Sequence, residues 1–302
     1  MSAGEAGVET GAAAAARTLA PAAWRVRHLS LDLRRPRVVG ILNVTPDSFY
    51  DGGRHDRTPD ALTRALAMLD EGADAIDVGG ESTRPGARPV SAAEEISRVL
   101  PVVRAVVSER PDVPVSVDTV KAEVARAVLD EGAAIINDVS AGRIEPGILD
   151  EIARADAAAI LMHSRGGVQD MASYELAVYG ADPVGEILDE LRARAEAAEA
   201  AGVAAESIVL DPGLGFSKRT EHSAACVRRV DRFLIGYPVL VGPSRKRFVG
   251  DLGGGLPADA RLEGTLAACV LALAGGARLF RVHDVAAARR ALDVAAGLVE
   301  AA

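Results

Sequence analysis

The sequence predicts an α/β protein built as a single (β/α)8 barrel, with a short hairpin before the first barrel strand and a disordered extension before that. Three observations carry this. Short aliphatic runs recur about every 30–40 residues, the spacing of strand-plus-helix repeats. The stretches between them place apolar residues at helical spacing, as in AEEISRVLPVVRAVVSE (93–109) and KAEVARAVLDEGA (121–133). The core material is aliphatic: hydrophobic residues make up 49% of the 302 residues and aromatics only 3%. Parallel sheets covered on both faces favour strands of that kind.

Taken in order, residues 1–23 form an Ala-rich extension. It holds Glu5 and Glu9 and lacks a basic start before a solid apolar block, so it does not read as a signal peptide. WRVRHLSLDL (24–33) alternates polar and apolar residues and predicts a hairpin covering the barrel floor. The predicted barrel strands are 38–44, 75–79, 113–118, 134–139, 158–163, 207–211, 238–242 and 278–282. Eight strands with eight helices close into a barrel, so residues 24–302 form one domain. An open doubly wound sheet would usually carry G-x-G-x-x-G after its first strand; here that strand leads into Asn43-Val44-Thr45-Pro46-Asp47.

Composition excludes several classes. The net charge of -9 argues against general nucleic-acid binding. No apolar run reaches a membrane span. Cys226 and Cys269 fit two incidental thiols in a reduced, cytoplasmic protein. Mean hydropathy is +0.15, ample for one large core.

Barrel active sites lie at the C-terminal ends of the strands, and nearly every predicted strand ends in a polar group. In order these are Asn43, Asp77, Asp118 with Thr119, Asn137 with Asp138, His163, Asp211, Ser244-Arg245-Lys246, and Arg281 with His283 and Asp284. A packed core would not choose such residues, because burying an unpaired charge costs several kcal/mol or more. Acids and amides (Asp118, Asn137, Asp211) sit on the middle strands and basic groups (Lys246, Arg281, His283) on the last two. Arg281 and His283, two apart, face the same way, and a helix starts near Asp284. This predicts a phosphate or diphosphate beside the last strand and a ring with several donors, such as an aminopyrimidinone, beside the middle ones. His163 has no second His or Cys at ligand spacing, so a supporting role in the pocket outweighs a metal site. His28, His55 and His222 read as surface residues.

Eight segments together resemble the dihydropteroate synthases. They are GILNVTPDSFYDGG (40–53), DVGGESTRPGA (77–87), VSVDT (115–119), INDVSAG (136–142), LMHSRG (161–166), LDPGLGFSK (210–218), VGPSRKRF (241–248) and RVHDV (281–285), all in the family's order. The resemblance implies condensation of 6-hydroxymethyl-7,8-dihydropterin pyrophosphate with p-aminobenzoate, with Mg2+ as cofactor. It implies that Asp118, Asn137, Asp211 and Lys246 hold the pterin, with Met162, Phe216 and Gly242 lining the substrate site. It further implies that Asn43 ligates Mg2+, that Arg281 and His283 hold the diphosphate, and that Ser244 and Lys246 border the p-aminobenzoate pocket. Asp47, Phe49, Thr83 and Arg84 would lie on two loops that close over the site. Asp118, Lys246, Arg281 and His283 would carry the chemistry. A homodimer, and the family's place as a sulfonamide target, are likewise implied.

Two features depart from the family: Ser223 stands where many members carry Asn, and residues 1–23 have no counterpart. Two other readings compete. A non-catalytic paralogue should lose part of STRPG, DPGxGF, SRK or RVH, and all four are present. A methyltransferase pterin domain lacks the TPDSF and STRPG loops and works beside a cobalamin domain, for which this length leaves no room.

Overall fold

The computed structural model describes residues 21–45, 58–82 and 88–300. Two short strands, β1 (Ala23–Val26) and β2 (Leu29–Asp32), pair antiparallel as the predicted hairpin. Eight parallel strands follow: β3 (Arg37–Asn43), β4 (Ala75–Gly79), β5 (Val115–Asp118), β6 (Ile135–Asp138), β7 (Ala158–Met162), β8 (Ile208–Asp211), β9 (Leu240–Val241) and β10 (Leu279–Val282). Their hydrogen-bonded order is β8-β7-β6-β5-β4-β3-β10-β9. A parallel bridge between Leu210 and Val239, with the Leu210 amide donating to the Pro238 carbonyl at 3.0 Å, closes the ring. Helices α1 (Thr58–Asp70), α2 (Ala92–Glu109), α3 (Ala122–Asp130), α4 (Gly147–Arg154), α5 (Pro183–Ala200), α6 (Thr220–Arg228), α7 (Arg247–Leu252), α8 (Leu262–Ala274) and α9 (Val285–Glu300) run between and after the strands. The architecture is the expected (β/α)8 barrel.

Most strands are a residue or two shorter than the aliphatic runs suggest. The largest trim is β9, two residues where five were expected. Pro238 and Pro243 flank it and have no N–H to add to a ladder.

Because side chains alternate across a strand, each barrel strand splits cleanly. Val38 and Leu42, Ile76 and Val78, Val115 and Val117, Ala159 and Leu161, Ile208 and Leu210, and Phe280 and Val282 pack outward against the helices. Val39, Ala75, Ile135, Ala158, Ile160, Val209, Leu240 and Leu279 point inward and meet Trp24, Val26 and Leu33 of the hairpin and its exit. Trp24 is fully buried, and its Nε1 donates to the Ser207 carbonyl at 3.0 Å. An indole hidden this way removes on the order of 200 Å2 from water, a gross gain of about 5 kcal/mol. The hairpin therefore plugs the barrel floor, and the aliphatic lower layers leave only the upper, C-terminal layers free for polar groups.

Candidate active site

The same alternation that fills the floor decides which strand-end residues reach the mouth. Counting in twos from the inward residues of the lower layers gives Asn43 from Val39, Asp77 and Gly79 from Ala75, and Asn137 from Ile135. It gives Met162 from Ile160, Asp211 from Val209, Gly242 from Leu240, and Arg281 with His283 from Leu279. On β5 the outward pair Val115 and Val117 leaves Ser116 and Asp118 inward. Asp138 has the opposite parity. Its carboxylate accepts from the Ser140 and Gly142 amides and the Ser140 hydroxyl, and shapes the loop after β6.

At the centre of the mouth lies a charged network spanning four strands. The carboxylate of Asp77, wholly buried, accepts from Ser116 Oγ at 2.5 Å, Asn137 Nδ2 at 3.0 Å and Arg281 Nε at 2.6 Å. Arg281 Nη2 also donates to Asp118 at 2.7 Å. One guanidinium thus bridges two carboxylates on neighbouring strands through two different nitrogens of its planar fork. Burial pushes the Asp118 carboxyl up to about 7 despite the Arg281 charge beside it.

A second group faces it from β8 and the loop after β9. Asp211 is buried, and its Oδ1 accepts from the Gly213 amide at 2.7 Å. Burial raises its pKa, with Lys246 the strongest opposing charge. Lys246 Nζ donates to the Leu214 carbonyl and sits 4.2 Å from the centre of the Phe216 ring. Burial holds this ammonium down at about 7. Gly213 takes a left-handed φ of 69°, and a β-carbon there would lie 2.0 Å from the His163 carbonyl oxygen, so only glycine fits this turn.

Arg281 and His283 share a face of the last strand as expected, but their heads diverge. Arg281 turns inward to Asp77 and Asp118, while His283 Nδ1 lies 2.9 Å from Ser244 Oγ. Arg245, in a left-handed conformation, pairs with Asp284 at 2.6 Å just before α9 begins. His163 bonds through Nε2 to Glu190 at 3.0 Å and through Nδ1 to Lys218 at 2.7 Å. Ser223, buried, accepts from the Gly215 amide through its hydroxyl at 3.1 Å, so the serine makes a contact from the start of α6 to the loop after β8. A cavity of about 340 Å3 opens between Ser82, Val120, Lys121, Ile144 and Val168, among the loops that follow the strands.

The structure brings together Asp118, Asn137, Met162, Asp211, Phe216, Gly242, Ser244, Lys246, Arg281 and His283 at one mouth, with Asn43 closing β3 in the same layer. Asp47, Phe49, Thr83 and Arg84 lie outside the described residues. Two residues emerge that the sequence reading left without a role, Asp77 and Lys218. For Asp77 the signal was present: one carboxylate inside the aliphatic run AIDVG demands partners wherever it is buried.

A polar, charged cluster at the C-terminal mouth of a (β/α)8 barrel defines an enzyme for a small polar ligand. The family model described as "Pterin binding enzyme" matches residues 39–283. A dihydropteroate synthase of Synechocystis sp. is 45% identical over 266 residues, covering 88% of this chain and 91% of that protein. Among solved structures, the dihydropteroate synthase of Xanthomonas albilineans with 4-aminobenzoic acid superposes with a TM-score of 0.85 at 43% identity, covering 93% of this chain and 99% of that one. The same enzyme in complex with 7,8-dihydropteroate gives 0.82 at 41% identity, covering 93% and 99%. The chain belongs to the pterin-binding enzymes, within the dihydropteroate synthase family.

Proposed function

We infer that the chain is a dihydropteroate synthase, a transferase of folate synthesis. It condenses 6-hydroxymethyl-7,8-dihydropterin pyrophosphate with p-aminobenzoate to give 7,8-dihydropteroate and pyrophosphate. The observation that carries this reading is the convergence of Asp118, Asn137, Asp211, Lys246 and Arg281 on one buried mouth in a chain 45% identical to such an enzyme.

The roles follow from donor and acceptor chemistry. A pterin presents a 2-amino group and ring N–H donors on one edge and a ring carbonyl on another. Asp211 accepts from the donors, Lys246 donates to the carbonyl, and Asn137 with Asp118 completes the edge, while Met162, Phe216 and Gly242 bound the ring. His283, with Ser244 behind it, lies on the diphosphate side at the start of α9, whose first amides favour an anion. Ser244 and Lys246 also border the p-aminobenzoate. Arg281 supplies positive charge between the two sites. As reaction proceeds, the carbon–oxygen bond to the diphosphate breaks with its electron pair going to oxygen. The arylamine nitrogen then bonds to the methylene carbon and loses its proton. Arg281 and His283 offset charge growing on the leaving group, and Asp118 offsets the positive charge growing on the pterin.

Asn43 suits a magnesium ion. Mg2+ takes hard oxygen ligands and is held by one or two protein groups plus substrate phosphates. The Asn43 amide oxygen is such a ligand. Gly79 keeps one side of it clear, since a β-carbon there would lie 3.4 Å from Oδ1. When bound, the ion would neutralise charge on the diphosphate.

Mass-spectrometric analysis of an incubation with both substrates and Mg2+ tests the assignment. A 7,8-dihydropteroate peak that needs the protein supports it; unchanged substrates after long incubation with folded protein contradict it. The pH dependence is a further check. Asp118 must be a carboxylate, so activity falls as pH drops below about 7; Lys246 must be an ammonium, so activity also falls as pH rises above about 7. The expected kcat/KM profile is a bell centred near neutrality, with limbs that belong to the coupled cluster. A flat profile from about pH 6 to 9 would contradict these roles.

The family's homodimer is supported by an apolar surface. Helix α8 (LEGTLAACVLALA) is apolar on nearly every face, and Leu271 on it is 63% exposed. The adjacent α9 exposes Val294 and Leu298. A face of this kind marks a protein interface. Light scattering should give twice the 31.2 kDa chain mass, and Leu271→Lys with Leu298→Lys should halve it. A wild-type protein of single-chain mass would overturn the dimer.

A further inference from the structure

Lys218 is 1% exposed, and the reaction above gives it no task. An ammonium buried this deeply costs several kcal/mol unless its partners compensate, so those partners define what it does. Its Nζ lies 2.7 Å from His163 Nδ1, 3.1 Å from the Phe216 carbonyl oxygen and 3.5 Å from the His163 carbonyl oxygen. His163 is buried at the end of β7, and burial plus the neighbouring ammonium hold its imidazole down at about 4. The ring is therefore neutral at physiological pH. With Nε2 donating to Glu190 at 3.0 Å, the Nδ1 lone pair is left to accept from Lys218. Arg165 fixes Glu190 in turn at 3.1 Å.

The turn after β8 is thus stapled to the end of β7. Lys218 holds the Phe216 carbonyl. Ser217, with a left-handed φ of 47°, exchanges two 2.9 Å hydrogen bonds with the Arg165 backbone, and the Tyr179 hydroxyl donates to the Ser217 carbonyl at 2.9 Å. On its other side the same turn meets Lys246 from the loop after β9, whose Nζ donates to the Leu214 carbonyl and lies 4.2 Å from the Phe216 ring centre. Two lysines therefore grip Phe216 from opposite ends, one at its carbonyl and one at its ring.

We propose that Lys218 is a positioning residue for Lys246: through Phe216 it sets where the Lys246 ammonium meets the pterin, and it touches no substrate itself. This rests on the reading of Lys246 as a pterin ligand. A merely structural lysine would affect stability alone, or would weaken binding equally in any background. A positioning lysine must act through Phe216.

The test is a double-mutant cycle read by calorimetry with 6-hydroxymethylpterin. Lys218→Met is expected to weaken binding about tenfold in the wild-type background, the loss typical of one hydrogen bond to a charged group. In a Phe216→Ala background the same change should cost less than about twofold, because the ring that meets the Lys246 ammonium is gone. His163→Asn, whose amide oxygen replaces the Nδ1 acceptor, should bind within about threefold of wild type, whereas His163→Leu should match Lys218→Met. Equal losses from Lys218→Met with and without Phe216 would overturn the proposal. Should that variant fail to fold, the two His163 variants carry the same comparison with the lysine in place, and equal binding by both would overturn it. Wild-type protein that binds no pterin would instead sink the reading of the site, and this inference with it.

Discussion

Arg281→Ala is expected to cost about 3–5 kcal/mol of folding stability, besides lowering kcat/KM by a factor on the order of 100 or more. The two losses have one origin. Arg281 donates to Asp77 and Asp118 at 2.6 and 2.7 Å, and Asp77 is wholly buried. Removing the guanidinium leaves two carboxylates facing each other with no cation between them. Ser116 and Asn137 still donate to Asp77, but neutral donors do not replace a charge. Arg281→Lys should recover only part of the stability, since one ammonium cannot bridge both carboxylates with the geometry of the fork. Phosphate-free pterin should bind more weakly as well, because Asp118 loses the partner that orients it and Asp77, which holds Asn137, loses its cation. Urea unfolding of the variant reads the first effect directly. A midpoint unchanged from wild type, with only diphosphate affinity lost, would confine Arg281 to the phosphates and remove the network from the account.

Asp211→Ala should do the opposite to stability while removing pterin binding. Two hydrogen bonds from the ring to a buried carboxylate are worth about 3–6 kcal/mol together, so calorimetry should show affinity falling by a factor on the order of 100 to 10,000. The effect on folding follows from sign. Burial raises the Asp211 pKa above that of the unfolded chain, so at neutral pH its ionised form is a cost to the folded state, which the substitution relieves. The variant should therefore melt within a few degrees of wild type, or higher. Unchanged pterin affinity would remove Asp211 from the site. A large stability loss would mean that its bond to the Gly213 amide, not ligand recognition, is its main task.

Much of this was legible before any coordinates. The repeat of aliphatic runs specified the barrel, and the alternation HLSLDL specified a hairpin. The ends of the predicted strands singled out Asn137, Asp211 and Arg281, and the structure sets them at the mouth because an inward residue in a lower aliphatic layer fixes every second residue above it. The strand ends were less legible. Prolines at 238 and 243 shorten β9 in a way hydrophobicity alone does not register. What the sequence could not reveal were partners distant along the chain. Arg281 meets Asp77 across 204 residues, and Lys218 meets His163 across 55. Both pairings arise only once the barrel closes, so Asp77 passed as one more strand-end acid and Lys218 as the last letter of a recognisable segment. The direction in which a long side chain turns at the mouth is likewise a tertiary matter: Arg281 and His283 share a face yet serve different neighbours.

Synthase activity is tested most directly by steady-state turnover of the purified protein, with pyrophosphate release followed over time. Release from 6-hydroxymethyl-7,8-dihydropterin pyrophosphate is expected only when p-aminobenzoate and Mg2+ are both present. Release that proceeds equally without the arylamine would make the protein a hydrolase of that diphosphate. No release from a folded protein that still binds the pterin would leave a binding protein in place of a synthase.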